Sequence, residues 1–135
     1  MRLATALLVA VMVWPGVQHV LARSLELDPW AFFGFAMYSV PNLRVNVRAA
    51  GLEADGGEPD WNAIPVSSYR LLNDYAEARA RYGLLLPPDG LAEALFERQP
   101  EISALLIRVR RWQISPETSR LEAVDRDAVY RRPGA

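Results

Sequence analysis

The stretch from Leu3 to Ala22, LATALLVAVMVWPGVQHVLA, constrains this chain more than any other, because it carries no formal charge and only Thr5, Gln18 and His19 are clearly polar. Wound as a helix, roughly twenty residues at about 1.5 Å rise match a hydrocarbon core of about 30 Å, so the length suffices to cross a bilayer with little to spare. Pro15 and Gly16 are expected to kink this helix or to end its most apolar part, since proline removes a backbone donor and its ring crowds the preceding turn. Arg2 and the amino terminus precede the segment and Arg23 follows it, so the flanking charges nearly balance. The orientation adopted is N-terminus inside, as a single inner-membrane pass with the C-terminal domain in the periplasm. A cleaved signal peptide, which would leave a secreted or periplasmic domain, competes with the retained anchor, because Val20-Leu21-Ala22 presents residues that a signal peptidase reads. The proline and the residues that follow favour retention.

Set apart from that segment, the rest of a 135-residue chain has room for one core, because two would each be too small to offset chain entropy. Its 51% apolar and 23% charged residues are those of an ordinary globular protein. All fifteen basic residues are arginine, which reads as the codon bias of a GC-rich genome, and the absence of cysteine excludes disulfides, thiol catalysis and cysteine metal sites. The net charge of -1 hides an asymmetry: residues 24–97 carry five Arg against eleven acids, and residues 98–135 carry eight Arg against five acids. Opposite-sign segments of one chain are expected to pair with each other within the fold before they serve an outside partner.

Residues 28–41 read DPWAFFGFAMYSVP and gather Trp30, Phe32, Phe33, Phe35, Met37 and Tyr38 between two prolines. This run is too short for a second crossing, whereas aromatic rings are favoured at the headgroup level, so these six residues are the candidate membrane-contact or interface site. They equally suit a core beneath the following sheet, and the two roles are compatible. The pattern W-x-F-x-G-F-x-MYS, followed by a short stranded segment, resembles uncharacterised bacterial small single-pass membrane proteins, some of which occur beside multi-pass proteins of the vitamin-K carboxylase-like class. The resemblance covers about residues 28–65 and brings no catalytic residues; it implies an accessory role with a multi-pass membrane protein as partner.

The remainder predicts an α+β domain over 43–130, ordered hairpin, two helices, hairpin, with an antiparallel sheet; residues 1–23 are the anchor or signal segment, 24–42 an aromatic interfacial linker and 131–135 a frayed tail. Val45, Val47 and Ala49 alternate with Arg44, Asn46 and Arg48, the period of a half-buried strand near 43–54, and Trp61 to Pro65 is expected to return beside it after Asp55-Gly56-Gly57-Glu58. Ser67 or Ser68 is expected to cap a helix that carries Leu72, Tyr75, Ala76 and Tyr82 on one face and stops at Gly83. Asp89 is expected to cap a second helix, with Leu91, Ala94 and Leu95 inward and Pro100 closing it. Leu105, Ile107 and Val109 alternate with Arg108 and Arg110 in a strand over 104–114, followed by a turn at Ser115-Pro116-Glu117-Thr118 and a strand over about 119–130. That turn sets Val109 against Val124, Trp112 against Leu121, Arg108 against Asp125 and Arg111 against Glu122.

Without cysteine, and with its one histidine, His19, in the N-terminal segment, the domain lacks the usual nucleophile–base pairs. His19 alone is no metal site, because a metal needs further ligands. Asp74 and Glu77 share a helix face near Arg70 and Tyr75 and are the one acid/base candidate, but Arg70 and Arg81 at four-residue spacing are their ordinary surface partners. Near-neutral charge and partnered arginines disfavour nucleic acid. The expectation is a non-enzymatic, membrane-tethered accessory or interaction domain with no cofactor. A small-ligand binding domain released by cleavage is the alternative, and a carboxylate-dependent enzyme the third reading.

Overall fold

The computed structural model describes residues 2–28, 44–53, 57–115 and 117–132, and within them the chain is α+β, with three α-helices and a three-stranded antiparallel sheet. The order is α1 (Arg2–Ser24), β1 (Val45–Leu52), α2 (Tyr69–Tyr82), α3 (Asp89–Arg98), β2 (Ala104–Ile114) and β3 (Leu121–Arg131), with 3-10 turns at Val66–Ser68 and Gly83–Leu85. α1 is long and apolar enough to cross a membrane or to act as a signal sequence, and none of its apolar window is buried against the domain. It does not end at Pro15-Gly16 but continues through the proline to Ser24. One proline deletes a single backbone donor, and the helical turns on both sides hold the element together.

The sheet runs in the order β1-β2-β3. The expected first hairpin does not form: β1 pairs along its whole length with β2, from Val45↔Arg111 to Leu52↔Ala104, and among the described residues the returning chain pairs its backbone with β1 at a single bridge, Gly51↔Asp60. Two local features divert that return. Asn62 N–H donates to Asp60 Oδ1 at 2.9 Å, which coils the segment into a turn, and Pro65 has no donor to offer a ladder. β2 supplies instead an apolar row of matching period. The diverted loop lies over the outer sheet face, where Arg48 and Arg108 stack on the Trp61 ring at 4.8 and 5.2 Å from its centroid. Gly51 permits this approach, since a Cβ there would stand 2.9 Å from Ala63 Cβ.

The β2–β3 hairpin forms, but two residues out of the expected register: Arg108 faces Asp127, Val109 faces Arg126, Arg110 faces Asp125, Arg111 faces Val124 and Trp112 faces Ala123. The loop is longer than a two-residue turn. It runs from Ser115 to Arg120, with Ser115 N–H on the Arg120 carbonyl at 2.8 Å and Ser119, at φ 54°, on the Ser115 carbonyl at 2.9 Å. A shift of two preserves every side chain's face, so the outer-face arginines still meet aspartates, whereas Val109 and Val124 now oppose Arg126 and Arg111.

Val47, Ala49, Leu105, Ile107 and Val109 form the inner sheet face, and α2 and α3 cover it with Leu72, Leu91, Ala92, Leu95 and Phe96. Leu95, Leu105 and Ile107 are fully buried, each contributing about 1.5–3 kcal/mol by transfer from water. The helix starts differ from expectation. Ser68 makes no side-chain cap; it is buried, and its hydroxyl accepts from Gln99 Nε2 at 3.3 Å, while Ser67 precedes α2 inside the 3-10 turn. Asp89 is the first residue of α3 after Pro88, where its charge complements the helix dipole without a side-chain cap. The stop of α2 at Gly83 is observed, at φ 53°.

Residues 131 and 132 are not frayed. Arg131 is the last residue of β3, and Arg132 donates to the carbonyls of Phe96 (2.6 Å), Gln99 (2.8 Å) and Ile102 (3.2 Å), with its guanidinium 5.2 Å from the Phe96 ring centroid. The last carbonyls of a helix lack intrahelical donors, and Arg132 supplies one to Phe96 in the last turn of α3 and others to the turn that follows it.

Candidate functional site: the junction of α1 with the domain

α1 ends in a left-handed cap. Glu26 adopts φ 56°, and Leu27 N–H reaches back to the Ala22 carbonyl at 3.1 Å, the long bond of a Schellman motif. Glycine is the usual residue at such a position; a side chain there costs about 1 kcal/mol. The cap is held because the four residues after the helix are built into the domain. Leu27 is buried, Leu84 N–H donates to the Leu25 carbonyl at 2.7 Å, and Asp28 N–H donates to the Arg81 carbonyl at 3.1 Å.

Glu26 is the hub. Arg126 Nη2 donates to its Oε1 at 2.6 Å, Arg111 Nη1 lies 3.3 Å from Oε2, and the same Arg111 nitrogen donates to the Glu26 carbonyl at 3.0 Å. Its side chain is 24% exposed, so this pairing is shielded more than an ordinary surface ion pair. Beneath it the buried Arg79 donates to the Gly83 and Leu86 carbonyls and fixes the turn after α2. Gly83 closes the assembly: a Cβ there would collide with the Leu25 carbonyl oxygen and the Glu26 carbonyl. Glu26, Arg79, Arg111 and Arg126 line a recess of about 10 Å³, room for roughly one water and not for a small molecule.

Of the residues singled out in the sequence, Trp30, Phe32, Phe33, Phe35, Met37 and Tyr38 lie outside the described residues. Asp74 and Glu77 are both exposed on α2, and Asp74 pairs at 4.0 Å with the exposed Arg70, so the two carboxylates face open solvent and form no cleft. His19 is exposed on α1. Among the described residues no group of three or more histidine or carboxylate side chains could hold a metal ion.

Arg108 and Arg110 are occupied by two-pronged carboxylate pairs, with Asp127 at 2.7 and 2.6 Å and with Asp125 at 2.7 and 2.7 Å. Those hydrogen bonds hold the Asp125 and Asp127 carboxyls below, and the two guanidinium groups above, their ordinary values. Arg111 does not pair with Glu122 but with Glu26, a residue the sequence did not flag. A Leu-Glu-Leu sequence after a helix resembles any helix end, and only the unusual backbone of Glu26 marks it. Gly83 was legible as a helix stop, but not as the seat of the segment that follows α1.

Compared with known proteins, the chain matches no family model, no curated protein and no solved structure, so the site is read from its own residues.

Proposed function

We propose that this chain is a single-pass membrane protein whose periplasmic α+β domain serves as a non-enzymatic accessory or interaction module of a membrane protein. The observation that carries this reading is the junction: an apolar, uncovered helix passes within four residues into a segment that buries Leu27 and is hydrogen-bonded and ion-paired to the domain. Such a connection works as a stiff stalk, keeping the domain against the bilayer in one orientation, which suits docking onto a neighbouring membrane protein. Retention of the anchor is favoured by Pro15 and by the residues that follow the helix. The accessory role also draws on the resemblance carried by W-x-F-x-G-F-x-MYS, and the five aromatic residues there, with Met37, are the proposed interfacial contact.

The test is membrane fractionation followed by affinity purification of the tagged chain in detergent. An intact N-terminal segment, resistance to alkaline extraction and recovery with a multi-pass protein in constant ratio are expected. A mature chain that begins at Arg23, or repeated recovery as a lone monomer, overturns the proposal.

A further inference from the structure

The β2–β3 hairpin ends in an exposed apolar tip. Ile114 and Leu121 face each other on the last rung, 48% and 57% exposed, and Trp112, 36% exposed, stands two residues back on the same face. Cross-strand pairs of this kind normally stabilise a sheet by being covered. This one lies at the end of the sheet where α1 leaves the domain. Glu26 is bonded to Arg111, three residues before Ile114 and hence about 10 Å along the strand. Tyr82 and Leu85, exposed beside the Leu84 N–H that holds Leu25, belong to the same end, whereas the far end leaves Val66, Tyr69 and Val129 scattered over separate elements.

Exposed Arg44 and Arg120 flank the tip, with the Arg44 carbonyl accepting from Trp112 N–H at 3.4 Å. The exposed Glu117 and Glu122 share the tip with these two arginines, so its charge is balanced and the apolar side chains carry the contact: beside a helix read as membrane-spanning, the indole and aliphatic groups suit the headgroup boundary while Arg44 and Arg120 can reach phosphates.

We infer that Trp112, Ile114 and Leu121 form a second bilayer contact, dipping into the leaflet from which α1 emerges, so that the domain stands on two points and its orientation is fixed. This rests on the reading of α1 as a retained anchor. With a helix and a hairpin tip in the same surface, the outer sheet face bearing Arg48, Trp61 and Arg108 is held at a set angle to the membrane.

The chain's lack of cysteine allows single-site labelling. The full-length variants Ile114→Cys, Leu121→Cys and Val129→Cys carry an environment-sensitive fluorophore in vesicles of zwitterionic and anionic phospholipid. All three positions are exposed, so the fold tolerates them. Quenching by aqueous iodide is expected to be at least threefold weaker at 114 and 121 than at 129, and quenching by a headgroup-level nitroxide lipid correspondingly stronger. Equal iodide access at the three sites, in chains that resist alkaline extraction, overturns the tip contact and leaves the anchor standing. Protection from both quenchers means that protein covers the tip, and also overturns it. Chains that wash off the vesicles refute the anchor and this inference with it.

Discussion

Replacing Glu26 separates the two energies that compete at the junction. Glu26→Ala removes the carboxylate from Arg126 at 2.6 Å and Arg111 at 3.3 Å but keeps a side chain at φ 56°. Because these groups are partly exposed, the lost pairing is worth roughly 1–2 kcal/mol in total rather than the value of a buried pair. Glu26→Gly loses the same carboxylate but relieves the left-handed backbone, recovering about 1 kcal/mol. The readout is hydrogen exchange of Leu84 N–H, which is bonded to the Leu25 carbonyl and exchanges when the junction opens, in full-length protein in detergent micelles. Glu26→Ala is expected to speed that exchange about 5- to 30-fold, and Glu26→Gly by no more than about fivefold. The amide of the fully buried Ile107 keeps its protection in both. Unchanged Leu84 exchange in the alanine variant, or faster exchange in the glycine variant than in the alanine one, refutes the account of Glu26 as a strained residue held by its charge.

Gly83→Ala combines a positive φ with a collision against the Leu25 carbonyl, so it is expected to destabilise by about 2 kcal/mol or more; together with Glu26→Ala the loss falls short of the sum, because both open one junction, as a double-mutant cycle in thermal unfolding will read. Arg132→Ala removes the side-chain donor from the Phe96, Gln99 and Ile102 carbonyls and is expected to cost about 2–3 kcal/mol, lowering the melting temperature by roughly 10–20 °C, with Arg132→Lys intermediate by circular dichroism. The lowered Asp125 and Asp127 carboxyls contribute stability that is complete above the ordinary carboxylate range and lost as pH falls through their folded values; the double change to asparagine flattens the acid limb of a stability–pH curve. Burial, with Asp89 as hydrogen-bond partner, pushes the Tyr130 hydroxyl up to about 12, so the stability linked to it is complete below about pH 10 and lost as pH rises from there through about 12; Tyr130→Phe removes the corresponding phenolate step from an absorbance titration.

What the sequence determined by itself is whatever depends on period and on single-residue backbone preference. An uncharged run of apolar residues specifies α1, alternation specifies β1 and β2, and the glycine after Tyr82 specifies where α2 stops. Even the outer-face pairing of arginines with aspartates was legible as a pattern, since a two-residue slip keeps every face. Tertiary structure decided which candidates meet. β1 had an adjacent partner in 61–65 and a better one in β2, and the longer apolar row won because strand pairing is a competition over all available edges rather than over neighbours. The fate of Arg111 was decided in the same way. Glu122 sits nearby in sequence, yet Glu26 reaches Arg111 across 85 residues and Arg126 across 100, because burial of Leu27 and the turn at Gly83 bring the end of α1 to the sheet. An ion pair at that separation has no local signature: its energy exists only once the core has placed both partners, which is why the apolar helix was evident from the first twenty-two residues and its attachment to the domain was not.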